Sequence, residues 1–571
     1  MDCNSQHTAA SRIALALKRH GVTHIFAQSL PSAVILAAEE LGIRQIAYRQ
    51  ENMGGAMADG YARCSGKIAV VAAQNGPAAT LLVPPLAEAL KASIPVVALV
   101  QDVERDQADR NAFQELDHVA LFQPCTKWVR KVVVAERIDD YIDAAFTVAG
   151  SGRPGPTALI LPADLLRENV PEPTFARTLA LGSWPLERPR PQDSLILEAA
   201  AFISAARAPV VIAGGGVHCS GASAALAALQ QDCSVPVLTT NMGKGAVDEY
   251  HPLSAGVLGS LVGPGSLGRH SAALVADADV VVLAGTRTNQ NGTDSWRQLS
   301  KGTKIIHIDI DPAEIGRTYE ALRLAGDIRE TLTVLRSILI DGDLTLRALS
   351  RQRVINQIAS YWDNFETDNR SNALSSSSPV RPERIMTELQ ALLTPQTVVV
   401  ADASYSSMWV AGQLRALAPG MRFITPRGLA GLGWGLPLAL GAKAARPNDP
   451  VICIVGDGGF GHSWAELETM VREQLPVTIV VINNGILGFQ RDAETVKFGK
   501  YTTACHLGNV DHTLIAQACG CPSVRISDPS DLTRQLQRGL QGKSPLLLEV
   551  MTDPGAHPPL SLFASMDRVA A

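Results

Sequence analysis

A chain of 571 residues exceeds the roughly 250 to 300 residues at which one hydrophobic core stops growing, so several domains are expected. Hydrophobic residues at 46% and charged residues at 18% place it with folded soluble proteins and away from disordered chains. A formal net charge of −5 gives no basic field for nucleic acid or an anionic membrane, which leaves small molecules as the expected partners.

The first apolar-periodic stretch is broken by Arg12, Lys18 and Arg19 and reads as a helix, not a signal peptide. No window reaches the apolar length of a membrane span. The nine cysteines are scattered, odd in number and without a CxxC pair, so reduced thiols and a cytoplasmic location are expected, with Cys519 and Cys521 serving packing. Short apolar strands near His24, up to Tyr48, from Ile68, from Pro95 and from Ala158 alternate with helical patterns from Pro31 to Leu41 and from about Asn52. That alternation predicts a parallel sheet with helices on both faces. A proline-rich run from about 168 to 193 cannot be a regular element and is read as a linker. A second alternating block has strands from Pro209, Pro236, Val280 and Lys304, and a third, beyond a polar stretch from Asp368, has strands from Thr397, Pro450, Pro476 and Leu546. The expected fold is α/β, three consecutive open parallel-sheet domains over 1–170, 193–345 and 380–571, with linkers 171–192 and 346–379.

In the third block a buried-type strand ends in GlyAspGlyGlyPhe from Gly456, and the next strand ends in Asn483 and Asn484. Ligands of such sheets sit at the carboxyl ends of the strands, which brings Asp457 and Asn484 to one crevice. Their hard oxygens suit Mg. Gly456, Gly458 and Gly459 let backbone N–H groups approach a phosphate at a helix start, and Ser463 with Glu466 is read as the capping box of that helix. A tight turn followed by a second turn is the plain alternative. Far upstream, Glu51 stands where a strand runs into a Gly- and Ala-rich helix; an acid pairing with Arg49 or the helix dipole is the ordinary meaning of such a residue.

GlyAspGlyGlyPhe with the paired asparagines resembles the motif by which thiamine-diphosphate enzymes hold Mg and the diphosphate. The resemblance, to the acetolactate synthase branch, implies Asp457, Asn484 and the Ile486 carbonyl as Mg ligands. It implies Glu51 as the catalytic acid that activates the cofactor ring, so that acyl transfer runs through a ylid-bound intermediate. Gly431 and Leu432 fall where the family wedges the bent cofactor, and Ser406 and Ser407 where it touches the diphosphate, although His and Gln are usual there. Phe113, Gln114 and Lys127 resemble the segment facing the reacting carbon; read alone, Phe113 is core and Lys127 is solvated surface. The middle block, with AlaGlyGlyGlyVal from 213, Arg287 and Asp309, is similar to a domain that holds FAD, though some relatives hold ADP or nothing.

The substrate segments depart from the pattern. Ala493 stands near the position of the Trp that selects the second keto acid, Gln28 lies in a turn that lacks the usual ProGlyGly, and the stretch from Gln74 lacks the histidine pair of pyruvate decarboxylases. The implied activity is a thiamine-diphosphate- and Mg-dependent carboligase or lyase acting on 2-keto acids, acyloins or 1,2-diketones, with active sites between subunits of a homodimer or homotetramer. A flavin-dependent oxidase of the pyruvate oxidase type and an inactive regulatory relative are the competing expectations.

Overall fold

Three six-stranded sheets carry the chain, all of their strand pairs parallel, in a computed structural model that describes residues 7–171, 175–564 and 566. The first holds β1 (His24–Phe26), β2 (Arg44–Ile46), β3 (Ala69–Ala73), β4 (Val96–Asp102), β5 (Trp128–Lys131) and β6 (Thr157–Pro162), in the order β2-β1-β3-β4-β6-β5. The middle sheet holds β7 (Pro209–Ala213), β8 (Val237–Thr239), β9 (Ser254–Val257), β10 (Val280–Ala284), β11 (Lys304–Asp309) and β12 (Leu322–Ala325), in the order β9-β8-β7-β10-β11-β12. The third holds β13 (Val398–Ala401), β14 (Phe423–Ile424), β15 (Val451–Gly456), β16 (Thr478–Asn483), β17 (Ser523–Ile526) and β18 (Leu546–Met551), in the order β14-β13-β15-β16-β18-β17. Each order reverses in its interior, between β1 and β3, β7 and β10, and β13 and β15, and the first and third turn back again at their β5 and β17 edges; a crevice opens beyond the carboxyl ends at such an interior switch point.

Apart from the edge strand β2, the strands the sequence predicts are the central ones, whose apolar runs, rich in Val and Ile, are buried on both faces. The five it passes over, β5, β9, β12, β14 and β17, all lie at sheet edges. There the apolar run is broken by Arg130, Arg323 or Arg525, by the small residues of β9, or by the brevity of β14.

The described part of segment 171–192 is irregular but strapped to the first domain: Lys67 and Ser183 form a bridge and the Trp184 indole N–H donates to the Lys67 carbonyl. Segment 346–379, read as the second linker, is mostly the helix Thr345–Ala373, which buries Ile358 and Phe365 and ties the Trp362 indole to the Ser254 carbonyl.

First and third domains share one hydrophobic core. Helix α1 (Glu51–Ser65) packs on α2 (Val83–Ala92) and crosses α3 (Gly435–Ala445) of the third domain. The crossing depends on glycine: a Cβ at Gly60 would lie 2.2 Å from the Leu438 carbonyl oxygen, and one at Gly441 1.9 Å from that of Met57. A buried Lys244–Glu249 pair ties the middle domain to the third, Lys244 donating to the Leu414 carbonyl and Glu249 accepting from the Ala416 amide.

Candidate active site

At the switch point of the third sheet, β15 ends in Gly456 and the short helix Asp457–Phe460 begins at once, while β16 ends at Asn483 and turns through Asn484. The Gly485 amide donates to Asp457 Oδ2 at 2.9 Å, which stitches the two turns together, and the Ile486 amide donates to Asn484 Oδ1 at 3.2 Å within the second. Asp457, Asn484 and Ile486 line one cavity of about 640 Å³ with Gly456, Gly458, Gly459, Ser406 and Leu432. Burial pushes the Asp457 carboxyl above its usual range, against the amides of Gly485 and Gly458. A buried carboxylate without a cation, an amide oxygen and an Ile486 carbonyl that accepts no hydrogen bond among the described residues form a hard-oxygen set that fits Mg. Among the described residues no cluster of three His, Cys, Asp or Glu gathers to suit a softer metal.

Packing also accounts for two of the three glycines. A Cβ at Gly459 would stand 2.0 Å from Asp402 Oδ2 and one at Gly458 2.6 Å from the Leu487 side chain, whereas one at Gly456 would make only ordinary contact with Ser406 Oγ at 3.7 Å.

The capping box is a correction. The Ser463 hydroxyl donates to the Phe460 carbonyl, and the Glu466 carboxylate reaches the first domain, where the amides of Arg49 and Gln50 donate to its Oε1 at 3.1 and 3.2 Å. Glu466 thus satisfies orphan donors where α1 begins, a tertiary contact that local spacing does not reveal. Ser406 and Ser407 also part company. Ser406 lines the cavity, whereas the Ser407 hydroxyl donates to the Ser404 carbonyl and accepts from Arg427, which draws it into the wall. Gly431 lies one residue outside the lining, with no room for a side chain beside the Trp434 ring.

The first domain gathers a second group at the switch point between β1 and β3. Glu51 begins α1 half-buried; its neighbour Arg49 faces Glu468, not Glu51. The Gln28 amide donates to the Arg49 carbonyl at 3.1 Å, and Gln74 donates to the Gln114 side chain at 2.9 Å. Gln114 sits in a left-handed turn beside Phe113, which is 83% exposed, not core. Lys127 does not join them: it precedes β5 at the amino edge of the sheet and donates to the Val148 and Ser151 carbonyls at the end of a helix. Burial and the nearby Arg153 lower its ammonium to about 8. Among the described residues none of the first domain lines the cavity that holds Asp457, and Glu51 is not part of its wall. Ala493 is also absent from that lining and packs into the third-domain core.

Arg427 went unremarked in the sequence, although it opens the Gly-rich loop that carries Leu432. It lines both the cavity and a second crevice in the middle domain, its Nε buried without a hydrogen-bond partner among the described residues, and burial lowers its guanidinium to about 10. An apolar wall from Tyr405, Met408, Trp409 and Phe489 was equally invisible, because these residues read as ordinary core.

The middle crevice lies beyond β7, β10 and β11 and is lined by Gly215, Gly216, Arg287 and Asp309. Its glycines are explained by turn packing, since a Cβ at Gly216 would stand 2.7 Å from Gly285 Cα. The polar groups are less easily explained. Arg287 has no hydrogen-bond or ion-pair partner among the described residues, the buried Asn241 Oδ1 accepts nothing, and burial raises the Asp309 carboxyl to about 6. A Gly-rich turn, a strand-end acid and unpaired polar atoms at the switch point fit a dinucleotide.

Comparison with known proteins matches residues 7–121, 196–335 and 402–550 to the N-terminal thiamine pyrophosphate binding domain, the central domain and the C-terminal thiamine pyrophosphate binding domain of thiamine pyrophosphate enzymes. The chain is 32% identical to the probable acetolactate synthase large subunit of Methanococcus aeolicus over 89% of its own length and 85% of that protein's. It is 33% identical to the corresponding protein of Methanocaldococcus jannaschii, over 96% of this chain and 93% of the relative. It is also 33% identical to the acetolactate synthase of Arthrospira platensis, over 95% and 94%.

Proposed function

Since this chain belongs to the thiamine pyrophosphate enzyme family, we propose that it is a carboligase of the acetolactate synthase kind, transferring an acyl unit from a 2-keto acid, acyloin or 1,2-diketone to a second carbonyl compound. The observation that carries the reading is the gathering of Asp457, Asn484, Ile486, Gly458, Gly459 and Leu432 in one cavity at a switch point. Asp457, Asn484 and the Ile486 carbonyl would hold Mg, and through it the diphosphate. The glycine turn after β15 would let the main chain approach the phosphate oxygens, Ser406 would add a hydroxyl, and Leu432 would wedge the rings. Thiamine diphosphate, when bound, supplies the electron sink that lets a bond beside a carbonyl carbon break and form.

Glu51 would hold and pass the proton on the cofactor's far ring, with Gln28, Phe113 and Gln114 around the incoming carbonyl. Among the described residues none of the first domain lines the cavity of its own chain, which supports a reading in which Glu51 would serve the cavity of a second copy, with a homodimer as the smallest complete unit. Arg287 and Asp309 would hold FAD in the middle crevice, with Arg427 between the two sites. Two experiments test the reading. Purified protein with thiamine diphosphate and Mg is incubated with a panel of keto acids, acyloins and diketones, and products are identified by mass spectrometry; the absence of any product with a new carbon–carbon bond would refute the carboligase assignment. Chromatography of the nucleotide released on denaturation decides between FAD, ADP and an empty crevice.

A further inference from the structure

The loop that carries Leu432 is strung between two buried carboxylates. At its start the amides of Gly428, Leu429 and Ala430 donate to Glu88 at 2.6, 2.5 and 3.2 Å. At its end the amides of Gly433, Trp434 and Gly435 donate to Asp402 at 2.9, 3.0 and 3.2 Å. Both acids are fully buried. Asp402 belongs to the same domain as the loop, where it ends β13 and faces the start of α3. Glu88 does not: it lies on α2 of the first domain, and its backbone closes on the loop so tightly that a Cβ at Gly428 would lie 2.4 Å from the Glu88 carbonyl oxygen.

A buried carboxylate is costly, and burial raises the carboxyl of Glu88 despite Arg63 at 3.9 Å. Neutral packing would join the two domains at lower cost. The carboxylate instead accepts three successive main-chain N–H groups and holds Ala430 at φ 63°, a left-handed conformation that a residue with a Cβ rarely keeps unsupported. Between the two anchors Gly431 and Leu432 are left without a carboxylate contact, and of these two Leu432 lines the cavity, with Arg427 and Ala430 before it.

We propose that Glu88 is a positioning residue for the cofactor pocket: through the amides of Gly428, Leu429 and Ala430 it sets the loop shape in which Leu432 and Arg427 face the cavity, so that docking of the first domain prepares a site built in the third. The inference rests on reading that cavity as the thiamine diphosphate site. It assigns Glu88 no contact with substrate or cofactor.

The test uses the full-length protein and two variants, Glu88→Gln, which removes the charge, and Glu88→Asp, which keeps it opposite Arg63 but withdraws it by one methylene. Hydrogen exchange without cofactor should show the 428–430 amides exchanging about tenfold faster or more in Glu88→Gln, with the 433–435 amides, held by Asp402, unchanged. Thiamine diphosphate affinity, followed by quenching of tryptophan fluorescence in the presence of Mg, should weaken by a similar factor, with Glu88→Asp intermediate in both measurements. Equal loosening at both ends of the loop would reduce Glu88 to a general stabiliser and overturn the proposal. So would wild-type affinity in either folded variant. A wild type that does not bind thiamine diphosphate would refute the functional reading itself and the inference with it.

Discussion

If each active site takes Glu51 from one copy and Asp457 from another, two inactive variants should repair each other. Glu51→Gln keeps the shape of the side chain but cannot hold the proton, and loss of a positioned acid or base costs about a hundredfold or more in turnover. Asp457→Ala removes the single acid among the proposed metal ligands. In a randomly mixed population half of the dimers carry one chain of each kind. One of the two sites in such a dimer has both native residues and the other has neither, so mixing should restore about a quarter of wild-type activity. The proposed geometry sets the expectation, since among the described residues the cavity around Asp457 is lined from Ser260 onward while Glu51 begins α1 outside it. The assay is carboligase product formed by each variant alone and after co-expression with two affinity tags. A purified mixed oligomer no more active than its parents would refute the shared-site geometry.

Asp457→Ala should lose Mg-dependent thiamine diphosphate binding while keeping its fold, and calorimetry showing wild-type affinity would remove it from the metal site. Gly60→Ala should destabilise the protein by about 1 to 3 kcal/mol, because the clash is with the Leu438 main-chain carbonyl and cannot be relieved by a rotamer change; an unchanged denaturation midpoint would show that the α1–α3 crossing tolerates a side chain. Glu549 is buried and accepts hydrogen bonds from His512, Arg525 and Asn483, which outweigh desolvation and lower its carboxyl from 4.5 to about 2. Since the folded value is the lower one, its stabilisation is present above about pH 4.5 and is lost as pH falls toward about 2, on the order of 3 kcal/mol in all. The wild type should lose more stability on acidification than Glu549→Gln, and parallel pH profiles would exclude this carboxylate as the cause.

Much of this protein was legible in one dimension. The central strands announce themselves because a strand buried on both faces has to be a run of Val, Ile and Leu, as in ValValValLeuAla at β10. Asp457 and Asn484 could be brought to one crevice because both follow directly on strand ends, and strand ends of one parallel sheet share an edge. Edge strands with a charge in them, such as Trp128–Lys131, carry no such run. Ser463 and Glu466 had the spacing of a local cap, yet the Glu466 carboxylate was taken by Arg49 and Gln50, more than 400 residues away in sequence. Only the tertiary structure decides which of two backbones an acid serves, because an acid acts on whatever donor packing leaves without a partner. The same holds for Lys127, claimed by the end of a helix, for Ser407, drawn away by Arg427, and for Glu88, whose sequence neighbours give no sign of the loop it shapes. Local sequence therefore determined the strands and the residues at their ends, where main-chain geometry alone sets position. Packing of the domains decided the partners of the buried charges, since their cost in a low-dielectric interior is offset only by donors that the rest of the fold brings to them.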